Sequence, residues 1–408
     1  MLRKHGWFRG ALPGLTGSAM LCVLISAGIP GWAQAACEAS EHGLRTDSAD
    51  NSAAFTRVLS ECKGQTIHIA AGTYAFAPSG FAVGFAIPAR TTLQGDGSQG
   101  PQATVLTVSG SGNYQGFLWV RNASNVTIRG LRLEGSAFDS GCHRHLDYGH
   151  AIYVRSDSSQ SAPVESVIIT ENQIHNFNGT GWIEVNASEN SPGISGVSIT
   201  NNVLTSDASL AGGCAATGLM SDVAAMISVH GPDNTPQGGL IRGTLIASNT
   251  LAAGYVNKGI AVWAGTYGTT VRANLVNDTG LRLPRGPSPE LGRYGIMVYN
   301  SAAHGTGQVP QEIDITENVI KNAVSCGIYI NTAGPLRIIG NQISGQTDRY
   351  DNTLLKGAIA LNHGIGVILQ DNELSNNYIG ISSIYTTGLQ IGNNNISVPP
   401  GGIRTKIR

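Results

Sequence analysis

The sequence predicts an all-β solenoid, and three observations predict it. Two kinds of short apolar-alternating run recur from residue 116 towards the end of the chain. An Asn-x-aliphatic step recurs with one of them. The composition agrees: 12% of the 408 residues are charged, 41% are hydrophobic and 54 are glycine, which supplies many turns and a large core.

The first kind of run reads Val126-Thr127-Ile128, Val167-Ile168-Ile169, Val197-Ser198-Ile199, Ile313-Asp314-Ile315 and Val367-Ile368-Leu369. The Asn step follows at Asn172, Asn202, Asn249, Asn274, Asn318, Asn341, Asn372 and Asn394. The shortest spacings between these, 22–25 residues, fit one solenoid coil, and the longer ones fit a coil plus an inserted loop. The stacked Asn residues are expected to form a structural ladder at a corner. The second kind of run reads Leu118-Trp119-Val120-Arg121, Ile152-Tyr153-Val154-Arg155 and Ile183-Glu184-Val185-Asn186. It returns at Ile227, Ile260, Ile296, Ile328 and Ile359. About nine or more coils at roughly 4.8 Å each predict a stack on the order of 45 Å long.

Before the repeats, residues 1–35 read as an export signal. Arg3, Lys4 and Arg9 precede the apolar run Met20–Ile25, and Ala33-Gln34-Ala35 is a small-residue cleavage site. A secreted or periplasmic protein is expected, with no membrane contact once the signal is removed. Residues 36–46 read as a linker. Phe55, Val58, Leu59 and Cys62 share one face of a helix over 50–62, with Asp50 or Asn51 as its cap. A strand at 66–70, a turn at Ala71-Gly72-Thr73-Tyr74 and a run at 91–97 follow. Five cysteines remain in the mature chain, enough for two bridges and one odd thiol. Cys37 with Cys62 and Cys142 with Cys214 are the candidate pairs, although spacing does not fix connectivity.

This opening, an Asp-rich lead-in, a short helix, strand-Ala-Gly-Thr-Tyr and Leu93-Gln94-Gly95-Asp96-Gly97, resembles that of pectate-lyase-superfamily proteins. The resemblance implies a single-stranded right-handed parallel β-helix over 36–398, its first coil capped by the short helix. Residues 399–408 would be a loose basic tail. The superfamily houses polysaccharide lyases and glycoside hydrolases.

Strand side chains alternate faces, so the aliphatic residues of the second run point inward and the interleaved ones outward, coil upon coil. One outward column then reads Trp119, Tyr153, Glu184, Ser228, Ala261, Met297, Tyr329, Ala360. The next reads Arg121, Arg155, Asn186, His230, Trp263, Tyr299, Asn331, Asn362. Aromatic planes suit pyranose faces and Arg suits uronate carboxylates. Long insertions before and after these strands predict the walls of a groove. Trp119, Tyr153, Arg155, Asn186, Trp263 and Tyr299 are the expected substrate contacts, with His143, His145 and Asp147 of a nearby His-rich loop. The His-x-His spacing there matches no metal site. A calcium site would need clustered carboxylates that are not seen, so a divalent cation such as calcium stays open but unsupported.

The resemblance to polygalacturonases locates catalytic Asp residues just before these strands, but here those places hold His150, Lys258, Arg293 and Tyr294. With Glu184 and His230 they are the candidate catalytic residues. The set suits proton abstraction alpha to a uronate carboxylate, by a lyase or a C5-epimerase. Two-carboxylate hydrolysis stays open through Glu184 with Asp147 or Asp222. A non-catalytic glycan-binding or exopolysaccharide-assembly protein also stays open, so enzyme status is undecided. The expected partner is an acidic polysaccharide or oligosaccharide. A net charge of −1 gives no footprint for nucleic acid, and oligomeric state is not legible.

Overall fold

The computed structural model describes residues 36–77, 84–109, 115–135, 149–177, 181–206, 225–232, 239–281, 292–300, 308–346 and 356–408. The export signal, Cys142, Cys214, His143, His145, Asp147, Asp222 and most of the expected groove-wall insertions lie outside them. No described helix is long and apolar enough to cross a membrane.

Alternating apolar residues dictate the strands. In Val164–Thr170, Val167 and Ile169 are fully buried while Ile168 is 41% exposed. Such strands wind as a parallel β-helix. Each coil visits three sheets in turn, as in Val164–Thr170, then Gln173–His175, then Gly181–Ala187. Among the described residues the three sheets hold fourteen, eleven and eleven strands. Pairing is parallel and in register, so Ile152, Ile183, Ile227, Ile260, Ile296, Ile328 and Ile359 stack as one inward file. Two sheets were legible in sequence. The Asn-x-aliphatic step proves to be part of the second sheet, whose strands of about three residues are too short to show alternation.

The Asn ladder forms at the corner between the first and second sheets. Asn172, Asn202, Asn249, Asn274, Asn318, Asn341 and Asn372 each donate Nδ2–H to the Oδ1 of the next, at 2.8–3.1 Å. The same Oδ1 accepts the backbone N–H of the preceding Asn, and each Nδ2 also reaches a strand carbonyl. The residue just before each Asn turns the corner in the left-handed region, as at Glu171 (φ 59°) and Asn201 (φ 56°). The buried amide therefore satisfies backbone groups that the turn would otherwise orphan.

The helix Ser52–Glu61 closes the N-terminal end. Its Phe55 meets Phe76 and Phe85 edge-on at 5.5 and 5.0 Å, and Phe117 extends the plug into the next coil. Asp50 takes the Ser52 N–H at 3.0 Å, while the buried Asn51 binds Arg45 N and Ala75 O instead of capping. The Cys37–Cys62 disulfide ties the leading segment to the helix end, with a Cα–Cα distance of 5.9 Å. Gly72–Phe76 is a strand, so the turn expected at 71–74 is confined to its start. At the other end, residues 399–408 are not a loose tail. Ile403–Ile407 pairs in parallel with Ile379–Ile384 and is the last strand of the third sheet.

Candidate functional site

The third sheet carries the candidate residues. Its strands keep the outward columns that the pattern predicts, with Tyr153 in register with Trp119 and Glu184, and Arg155 with Arg121 and Asn186. They add a column that simple alternation misses. Ala151 and Ile152 both face the main core, as do Trp182 and Ile183, so the residue before each pair turns outward again. Glycines at 259, 295 and 327 occupy this inward position, where a Cβ would strike Val276, Ile320 and Ile343 from the next sheet. The added outward column runs through His150, Gly181, Ala225, Lys258, Tyr294 and Cys326. Ala225, Tyr294 and Cys326 pack against Ala261, Met297 and Tyr329 of the Trp119–Tyr153 column, apart from the main core.

These columns point away from the core yet are covered. His150 is 1% exposed, Glu184 3% and Lys258 4%. Only the column of Arg155, Asn186, His230, Trp263 and Tyr299 is half-buried. The aromatic faces are occupied as well. Trp119 stacks parallel to Tyr153 with centroids 6.2 Å apart, and the Arg121 and Arg155 guanidinium groups sit over the two rings at 5.0 and 5.8 Å. Neither ring is the bare sugar platform expected from sequence.

Coil geometry divides the candidate catalytic residues into two groups. The first centres on His150. Its Nδ1 lies 2.6 Å from the Gly181 carbonyl oxygen. A carbonyl only accepts, so Nδ1 carries the hydrogen and Nε2 is the basic nitrogen. The imidazole stacks on Tyr153 at 4.6 Å, and Arg155 donates to the Tyr153 hydroxyl at 2.7 Å. The Glu184 carboxylate lies over Gly181, on the coil that also supplies the Gly181 carbonyl. The second group begins with His230 two coils further on and reaches Lys258 on the third, roughly 14 Å from the His150 strand. There Lys258 is in register with Tyr294, and Lys258 Nζ lies 5.9 Å from the Trp263 ring centre. His230 and Tyr299 flank Trp263 at 5.7 and 5.5 Å. Burial pushes the Tyr294 phenol well up, with Cys326 and Tyr329 adding to it. Tyr329, stacked on Tyr294 at 4.5 Å, is raised for the same reason. Both phenols stay neutral hydrogen donors near neutral pH. Arg293 joins neither group, because its guanidinium turns aside to the Gly280 carbonyl at 2.9 Å.

An open cleft of about 730 Å³ borders the first group. Trp119, Arg121, Arg155, Asp157, Ser159 and Glu189 are among its walls. Asp157 was not singled out in sequence, although Asp157-Ser158-Ser159 just beyond the Arg155 strand has the form of an Asx turn. Burial alone would raise its carboxyl. Hydrogen bonds from Ser159, Asn122 and Arg121 outweigh that and hold it well below the usual carboxylate range. Arg121 is thereby neutralised at 2.6 Å. Arg155 has the Tyr153 phenol as its partner, and among the described residues no carboxylate lies in ion-pair range of it.

Among the described residues one cluster has metal-ligand spacing, Cys37, His42 and Cys62, and its two sulfurs are joined as a disulfide.

The family described as right handed beta helix region matches residues 115–348. No curated protein matches the chain. Among solved structures it is similar to PfbA, a surface adhesin of Streptococcus pneumoniae, at 12% identity and a TM-score of 0.59, over 91% of this chain and 93% of that one. It is also similar to DFA-IIIase from Arthrobacter chlorophenolicus A6, at 12% identity and a TM-score of 0.58, over 91% and 86%. The A-module of the Azotobacter vinelandii mannuronan C-5 epimerase AlgE4 follows at 13% identity and a TM-score of 0.46, over 91% and 97%. At such identities the first two likenesses speak to the fold alone.

Proposed function

Since the chain belongs to the family of right-handed β-helix regions, within the pectate-lyase-like superfamily, we propose that it is an exported polysaccharide-active enzyme. Its substrate is a uronate-containing acidic glycan, and its reaction is β-elimination. The observation that supports the reading is the His150–Gly181 hydrogen bond, which takes up Nδ1–H and so assigns proton acceptance in the neutral ring to Nε2.

The steps follow from this chain's own groups. Arg155, lining the cleft, pairs with the uronate carboxylate and stabilises the charge that builds when the proton alpha to it leaves. His150 Nε2 takes that proton from C5. The C4–C5 double bond forms, the C4–O4 bond breaks, and the leaving oxygen takes a proton from the Tyr153 hydroxyl. Arg155 donates to the Tyr153 oxygen, so the phenol's own hydrogen is directed away from the guanidinium. His150 and Tyr153 rise from one sheet face with stacked rings, so acid and base meet one side of the sugar. Epimerisation would need a second proton donor on the other side of the sugar. Two-carboxylate hydrolysis is disfavoured for a different reason. Glu184 is the sole carboxylate in the described columns, Asp157 at the cleft is held too acidic to serve as a general acid, and Glu189 lines the cleft outside those columns, while Asp147 and Asp222 lie outside the described residues.

The test is absorbance in the unsaturated-uronate band while the mature protein meets polygalacturonate, alginate and hyaluronan. A rise is expected on at least one, and His150→Gln should lower the rate on the order of 10²–10⁴-fold. Reducing ends without the absorbance would replace elimination with hydrolysis. Binding without product would replace the enzyme with a glycan-holding protein.

A further inference from the structure

We propose that the C-terminal coils carry a second glycan-binding site, a stacking platform of Tyr385 and His363, which holds a chain already engaged at the His150 end. The proposal rests on the reading that the ligand is an acidic glycan.

Tyr385 is 70% exposed, although it lies in the ordered turn after the strand Ile379–Ile384. Its ring packs on the His363 ring at 4.8 Å and 31°. Register explains the stack: Asn331 pairs with Asn362 and Asn362 with Ile384, so Thr332, His363 and Tyr385 occupy the same turn on successive coils. A chain of amides fixes the imidazole. His363 Nδ1 lies 2.8 Å from Asn362 Oδ1, and Asn362 Nδ2 donates to Asn331 Oδ1 at 3.0 Å.

The backbone supplies a second, independent observation. Tyr385, His363 and Thr332 have φ of 51°, 52° and 49°, in the left-handed region. Among the described non-glycine residues in that region most are Asn, Asp, Glu or Ser, and only His363 and Tyr385 carry rings. A bulky side chain there is strained, and glycine would remove the strain. The fold thus holds an aromatic ring in a costly conformation where it buries nothing in the core. A flat, exposed ring flanked by fixed amides suits the apolar face and hydroxyl edge of a pyranose.

The platform lies one residue beyond the half-buried column of Trp263, Tyr299, Asn331 and Asn362, whose next member is Ile384. It stands seven coils from the His150 strand, on the order of 34 Å. Only a chain longer than that span engages both ends, and the second contact then raises the effective local concentration of glycan at the first.

The experiment compares wild type, Tyr385→Ala and Tyr385→Gly by calorimetric titration with polygalacturonate, alginate and hyaluronan, each as polymer and as tetrasaccharide. Both variants should bind the preferred polymer roughly two- to tenfold more weakly, with tetrasaccharide affinity unchanged. Tyr385→Gly should also melt at a higher temperature than wild type, which separates lost binding from lost folding. Unchanged polymer affinity in both variants would overturn the proposal, as would an equal loss for the tetrasaccharide. If no probe binds the wild type, the glycan reading itself falls, and this site with it.

Discussion

The Glu184 carboxylate occupies the space that a side chain at Gly181 would need. A Cβ built on Gly181 would stand 2.5 Å from Glu184 Oε2, 2.8 Å from Ser228 Cβ and 2.9 Å from the Ile183 carbonyl. The same glycine accepts the His150 Nδ1–H. One residue without a side chain therefore seats both a carboxylate and an imidazole.

Gly181→Ala is accordingly expected to displace Glu184 and tilt His150, at a cost of about 1–3 kcal/mol in stability. Denaturant unfolding measures the stability, and the elimination assay measures the site. A variant as stable and as active as wild type would show that the crowding is relieved without moving either group.

The corner at Asn249 carries a second expectation. Its Oδ1 accepts from Asn202 N and Nδ2, both at 3.0 Å, while its Nδ2 donates to Ile199 O and Asn274 Oδ1 at 2.9 and 3.0 Å. Asn249→Ala orphans buried groups on both neighbouring coils, each costing about 1–3 kcal/mol. Asn394 ends the ladder and is half-buried, so water can replace it. Asn394→Ala should therefore cost markedly less. Equal midpoint shifts in the two variants would refute the cooperative ladder.

The ladder was legible in sequence because an interior corner admits one kind of residue, and the kind repeats. The outward columns were legible for the same reason, since a strand's period of two shows wherever the strand is long. Three things escaped. Strands such as Gln173–His175 are too short to display a period. The doubled inward pair Ala151-Ile152 breaks alternation, and its trace, the glycines at 259, 295 and 327, reads as ordinary turn composition. The basic residues of Ile403–Ile407 disguise a last strand as a tail. For the candidate site, the residue types were legible but their grouping was not. Which coils are neighbours follows from insert lengths, and that neighbourhood separates Lys258 and Tyr294 from His150. Nor does pattern reveal that Trp119 and Tyr153 spend their faces on each other and on arginines.

Asp157→Asn tests the electrostatics of the cleft. The carboxylate neutralises Arg121 and accepts from Asn122 and Ser159 at 2.8 and 2.5 Å. The amide would leave Arg121 as a second cation beside Arg155. Binding of a polyanionic glycan should tighten at low ionic strength, and the gain should fade as salt is added. Stability should drop by about 1–3 kcal/mol through lost charge-assisted bonds. Weaker binding at low salt would mean that Asp157 itself contacts the ligand.

The N-terminal coil should respond to pH through His68. Its Nδ1 meets Glu38 and its Nε2 meets Asp96, each at 2.7 Å, and Asp96 also accepts the Ala71 N–H at 2.7 Å. The Asp96 and Glu38 hydrogen bonds raise the imidazole above its ordinary 6.5, against a smaller opposing effect of burial. The His68 bond, helped by Ala71, lowers Asp96 below its ordinary 3.8. A raised histidine stabilises the fold fully below pH 6.5, and that contribution fades as pH climbs through the folded value. A lowered carboxylate stabilises above pH 3.8, and its contribution is lost as pH falls through its folded value. The cluster therefore contributes most between the two. Between pH 5.5 and 8.5 the melting temperature of wild type should fall towards that of His68→Gln, because the neutral ring bridges two carboxylates less well. A gap between the two proteins that stays constant over that range would mean that His68 acts through packing and not through its charge.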